Sequence, residues 1–170
     1  IPMIVFINKL DREGKDAFDL MDEVEQKLKL RVTPLSFPIG MGYDFQGIYN
    51  IWEKNINLFE GDSRKNIEET IAFDDINNPE LEKIIGEKPA NRLREELELI
   101  EEVYPAFSRE EYLAGDLQPV FFGSALNNFG VRELLDCFVE IAPTPRPKES
   151  DTRLVRPEEE KLSGFVFKIH

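Results

Sequence analysis

The sequence predicts an α/β fold: a parallel sheet interrupted by a smaller α+β insertion. Two stretches, Met3-Ile4-Val5-Phe6-Ile7 and Pro119-Val120-Phe121-Phe122-Gly123, are short continuous apolar runs, each followed by a polar loop and then a helical pattern. Runs without alternation suit strands buried on both faces, as in parallel sheets. Between them the texture changes, first to short strand and turn signals and then to a Glu-rich helical stretch.

Taken in order, the first run is followed by a helix near Asp16–Leu28, with Phe18, Met21, Val24 and Leu28 on one face. Leu35, Phe37 and Ile39 then alternate, and the interrupting Pro34 and Pro38 assign this piece to a sheet edge. From Tyr43 to Phe73, the segments Gly47–Trp52 and Ile56–Phe59 read as short strands. Glu60-Gly61-Asp62-Ser63 reads as a turn and Ile67–Phe73 as a strand pairing back. Asn78 is placed to cap a short helix with Pro79 at its first position. Ala90–Val103 carries Leu93, Leu97 and Ile100 on one face, and Ser108-Arg109-Glu110-Glu111 fits a capping box. The acidity of this region fits the solvated side of amphipathic helices, or alternatively a partner surface. After the second run, Gly130–Ile141 forms a helix with Val131, Leu134, Leu135, Phe138 and Ile141 inward. Pro143-Thr144-Pro145-Arg146-Pro147 ends it and begins a semi-rigid linker. Gly164-Phe165-Val166-Phe167-Lys168-Ile169 reads as the first strand of a further domain.

Composition narrows the functional classes. A 170-residue chain with 41% apolar residues can build a core, and no apolar run is long enough to span a bilayer. The start of the sequence has neither a basic leader nor an initiating Met, so we expect a piece of a longer protein without a secretory signal. The one cysteine, Cys137, cannot form an intramolecular disulfide, which fits a reducing cytoplasm. Its helical context reads as a small buried hydrophobe rather than a reactive thiol. With one Cys and one His, His170, a Cys/His zinc site cannot be assembled. A net charge of −13 disfavours direct nucleic-acid binding and favours protein partners or simple solubility.

The chemistry-bearing motif is Asn8-Lys9-Leu10-Asp11, directly after the first strand. Open α/β sheets bind ligands beyond the carboxyl ends of their strands. A guanine edge offers two neighbouring donors, N1–H and the N2 amino group, and a carboxylate such as Asp11 supplies two acceptors to match. Adenine lacks the amino group and presents an acceptor at N1, so it would leave Asp11 unpaired. The amide of Asn8 is placed to reach N7 or to tie neighbouring loops together. The stem of Lys9 can lie along a base with its ammonium in solvent. As a bare string the motif also fits a polar surface turn. A second loop, Ser124-Ala125-Leu126, follows the second strand. Here the Ala125 N–H is a candidate donor to guanine O6, and Ser124 is placed to hold the loop and Asp11.

These motifs, with Pro38-Ile39-Gly40-Met41-Gly42, Asn128-Phe129-Gly130-Val131 and Asp151-Thr152-Arg153, resemble the release factor 3 family of bacterial translational GTPases, related to elongation factor G. The resemblance implies the C-terminal part of a P-loop GTPase-type parallel sheet domain, an inserted α+β subdomain and the first strand of a following β-barrel. On this reading residues 1–40 and 118–143 belong to the GTPase domain, 41–117 to the insertion, 144–161 to the linker and 162–170 to the barrel. Asn8, Lys9, Asp11, Ser124, Ala125 and Leu126 would bind the guanine of GTP or GDP. The implied parent acts in the cytoplasm on the terminating ribosome and recycles codon-reading release factors. No G-x-x-x-x-G-K-[ST] loop occurs in the sequence, so catalytic residues and Mg²⁺ ligands are expected elsewhere in the parent, and this chain alone is expected to be inactive. Alternatives are an elongation-factor-G-like or ribosome-protection GTPase or, from another class, a non-enzymatic acidic interaction module.

Overall fold

Strand β1 (Val5–Ile7) leads through its loop into helix α1 (Ala17–Leu28). In this computed structural model the described residues are 1–59, 70–73, 75–164, 166 and 168. The expected turn at Glu60–Ser63, His170, residues 67–69 of the expected strand at Ile67–Phe73 and half of the strand at Gly164–Ile169 lie outside them. Asp16 caps α1, accepting the Phe18 N–H at 3.0 Å. The chain leaves α1 through Lys29 in the left-handed region. Strands β2 (Val32–Pro34) and β3 (Ser36–Ile39) follow, then β4 (Gly47–Asn50), β5 (Asn55–Leu58) and β6 (Thr70–Ala72). Helices α2 (Glu80–Ile85), α3 (Glu87–Val103) and α4 (Arg109–Ala114) precede β7 (Gln118–Phe122) and α5 (Val131–Ile141).

Two sheets organise these elements. The first is parallel, in the order β1-β7-β2, with Val5 opposite Val120 and Val32 opposite Gln118. The second is antiparallel, in the order β3-β4-β5-β6. The expected edge position of the proline-bearing segment holds in both, because β2 and β3 are edge strands. Leu35, a bend between them, links β7 to the turn that follows β4. Its N–H donates to Val120 O at 2.9 Å, and its carbonyl accepts from Ile51 and Trp52 N–H. The Ser36 hydroxyl, fully buried, accepts the Phe122 N–H at 3.0 Å.

Alternation along β7 divides the core. Val120 and Phe122 enter a large cluster with α1, the antiparallel sheet and α3, including Met21, Phe37, Ile48 and Leu93. Phe121 enters a second cluster with Leu35, Tyr112, Cys137 and Ile141. Helices therefore cover both faces of the parallel sheet, as an α/β layer arrangement requires.

Several expectations need correction. Strand β1 was expected to be buried on both faces, but all three of its residues are only half-buried. It pairs with β7 on one side and has no partner strand on the other among the described residues. On α5 the inward stripe is Glu133, Cys137 and Ile141, with Leu134 partly buried, whereas Leu135 and Phe138 are exposed. Leu28, at the end of α1, is also exposed. Helix α3 begins at Glu87 rather than Ala90, because Pro89 is accommodated in its first turn. The capping box at α4 is half formed. Ser108 Oγ accepts the Glu111 N–H at 3.3 Å, but the Glu111 carboxylate points to Arg31 at 3.5 Å. Beyond α5, β8 (Lys148–Glu149) and β9 (Leu154–Val155) form a hairpin closed by Ser150 and Arg153.

Candidate functional site

The parallel pairing of β1 and β7 fixes where their loops emerge. Ile7 lies opposite Phe122, so both strands end at the same edge. Pairing continues one step further: the Gly123 N–H donates to Ile7 O at 3.0 Å and the Leu10 N–H to Gly123 O at 3.2 Å. Gly123 is required there. A Cβ at this position would stand 2.3 Å from Phe129 O and 2.8 Å from the Phe6 ring.

In the first loop, Lys9 adopts φ 75°, a left-handed conformation that turns the chain sharply. Its carbonyl accepts the Arg12 N–H at 3.1 Å, and Leu10 is drawn into the core. The alternation this produces leaves Asn8 and Lys9 exposed and Asp11 half-buried. The Leu10 carbonyl accepts the Gly42 N–H at 3.0 Å, which ties the loop to the start of the antiparallel segment.

The second loop closes on itself. Ser124 and Phe129 exchange both backbone hydrogen bonds, at 2.9 and 3.0 Å, around a 3₁₀ turn at Ala125–Asn127. Asn128 and Gly130 take positive φ to make the reversal. Ser124 and Phe129 point inward, while Ala125 and Leu126 face solvent.

Two side-chain hydrogen bonds join the loops. Ser124 Oγ donates to Asp11 Oδ1 at 2.6 Å, across 113 residues of sequence. The Ala125 N–H donates to Asn8 Oδ1 at 2.8 Å, and the same oxygen takes the Lys9 N–H at 2.8 Å. Asn127 Nδ2 donates to Ser124 Oγ at 2.9 Å, so Asn127, Ser124 and Asp11 form a polarised chain ending on a carboxylate. The nearest cation, the exposed Arg12, stands 4.0 Å from Asp11 Oδ2, where water and salt screen it. A cavity of about 310 Å³ opens beside Asp11, lined also by Arg12, Glu13, Gly42 and Tyr43. Asp11 is thus shared between the hydrogen-bonded cluster and the cavity, and its carboxylate keeps acceptor capacity after the Ser124 bond.

Of the sequence candidates, Asn8, Asp11, Ser124 and Ala125 come together. Lys9 contributes its backbone turn, with its side chain in solvent. Leu126 is 80% exposed and touches none of the others through a hydrogen bond. Asn127 was missed, although it adjoins the recognised string. Gly123 and Phe129 stand within the motif strings, but the strings assigned them no role in the site. Nearby on α1, hydrogen bonds from Lys15 and then Lys27 hold the Glu23 carboxyl down at about 2. Among the described residues no group of three His, Cys, Asp or Glu side chains gathers into a metal site, and no helix is long and apolar enough to cross a membrane. Residues 1–144 match the model of the elongation factor Tu GTP binding domain.

Proposed function

The chain belongs to the elongation factor Tu GTP binding domain family, a family of translational GTPases that bind guanine nucleotides, and on that premise we propose that its two joined loops are the guanine-recognition half of the nucleotide site. The observation that carries this is the 2.6 Å hydrogen bond from Ser124 to Asp11. It fixes a half-buried carboxylate at the loop edge of the parallel sheet, beside a cavity, with acceptors to spare. A guanine N1–H and N2 amino group satisfy such a carboxylate, and adenine does not. Asn8 ties the loops through Ala125, whose N–H is the candidate partner of guanine O6. Lys9 and Leu126 flank the base.

Within the family we read the chain as part of a release-factor-3-like GTPase, because Phe121–Val131 and Gly164–Ile169 resemble that family more than elongation factor G. Its role would be to drive departure of codon-reading release factors from the terminating ribosome in the cytoplasm. Family membership favours this reading over an acidic interaction module. The sequence has no G-x-x-x-x-G-K-[ST] loop, and among the described residues no group of three His, Cys, Asp or Glu side chains gathers to hold a metal, so no hydrolytic step is assigned to them. The parent would supply those parts, and the 170 residues alone should show no GTP turnover above buffer.

Asp11→Asn in the parent protein tests the site. An asparagine amide can donate to the carbonyl that xanthine carries in place of the amino group. GDP affinity should fall about 10- to 100-fold, the loss of one hydrogen bond to a charged group, while affinity for xanthosine diphosphate rises. Unchanged GDP affinity in a calorimetric titration would overturn the assignment. Release-factor dissociation from termination complexes, set against translocation, separates release factor 3 from elongation factor G.

A further inference from the structure

The loop that carries Ser124 has a single apolar anchor, Phe129. Its other residues between Ser124 and Gly130 are polar, exposed or too small to hold it. The Phe129 ring packs edge-on against two rings of the antiparallel segment, Phe45 at 5.5 Å and Phe59 at 5.4 Å, which themselves meet at 5.3 Å. Phe45 follows the turn whose Gly42 N–H holds Leu10 O, so one short segment, Gly42–Phe45, braces both loops. The backbone of Phe129 is doubly bonded to Ser124, whose hydroxyl is bonded to Asp11. A displacement of the ring therefore reaches Asp11 through one backbone pair and one side-chain hydrogen bond.

We propose that Phe129, seated against Phe45 and Phe59, is a positioning residue that sets guanine selectivity by holding Ser124 against Asp11. The inference rests on the reading of Asp11 as the guanine acceptor and adds to it a device built into the insertion. A carboxylate gripping two donors tolerates less tilt than one gripping a single donor. Loosening the triad should therefore weaken a guanine nucleotide more than its inosine counterpart, which lacks the 2-amino group.

The test is titration of the parent protein and its Phe129→Leu, Phe45→Leu and Asp11→Asn variants with GDP and inosine diphosphate. Both Phe variants should lose GDP affinity by up to about tenfold relative to inosine diphosphate, the factor carried by one ordinary hydrogen bond. Equal losses for the two nucleotides, or no loss, would mean that the triad only packs, and would overturn the proposal. If Phe129→Leu does not fold, Phe45→Leu decides, since it loosens the triad from the insertion side. If Asp11→Asn leaves the GDP preference intact, the guanine assignment fails with it. If Asp11→Asn abolishes the preference and the Phe variants keep it, the positioning role alone is wrong.

Discussion

Strands β1 and β7 lie side by side in register and release their loops at one edge, yet their surroundings differ. Every residue of β7 is buried, with strands on both sides and a helical layer on each face, whereas β1 has one strand neighbour among the described residues and stays half-buried. Identical side-chain chemistry therefore contributes unequally. A phenylalanine in β7 is surrounded, and one in β1 is covered on part of its surface. The loops differ too: the one after β7 closes on itself through the Ser124–Phe129 backbone pair, and the one after β1 is held from outside, by Gly42 at Leu10 and by Ser124 at Asp11.

The largest effect that would sharpen this contrast is on stability. Phe121→Ala should cost about 3–5 kcal/mol, the usual range for a fully enclosed aromatic. Phe6→Ala should cost roughly half of that in the same urea titration, because its burial is partial. Equal costs would break the comparison. A second expectation concerns Cys137, which packs beneath Phe121 and whose thiol burial pushes up to about 12, with Glu140 and Glu53 adding to the shift. Labelling by a thiol reagent at pH 8 should be slow in the native protein and fast in denaturant. The sign follows from linkage. A raised pKa favours the neutral thiol in the folded state, so its contribution is intact below about 9 and is lost as pH rises towards 12. Rapid native labelling would show that the β7 face opens readily. The smallest effect is expected at Leu28, which is 60% exposed on the β1 side. Leu28→Ala should change stability by no more than about 0.5 kcal/mol, and a cost above 2 would place it in a core.

Much of the arrangement could be read before the fold was known. Apolar runs bracketed by polar loops marked β1 and β7, and the residue types of Asp11 and Ser124 marked their loops. Burial could not be read in the same way, because Met3–Ile7 looks as enclosed as Pro119–Gly123 until the sheet order is known. On α5 the apolar residues outnumber the inward positions, so Leu135 and Phe138 could not be told from Cys137 and Ile141 by spacing. The register of the helix on β7 decides between them. The packing of Phe129 could not be read for a different reason: its partners Phe45 and Phe59 lie far away in sequence, and only the return of the antiparallel sheet onto the loop brings the rings together.

Leu35 gives the architecture a mechanical character. A hinge between two sheets would need a stretch of backbone free of obligations, but here a single residue donates to β7 and accepts from the turn that follows β4. Torque applied to the antiparallel sheet has no slack to absorb it at that point and passes into β7, whose far end carries Ser124. The join works as an elbow, and the antiparallel sheet is a lever fixed to the strand that presents the second loop.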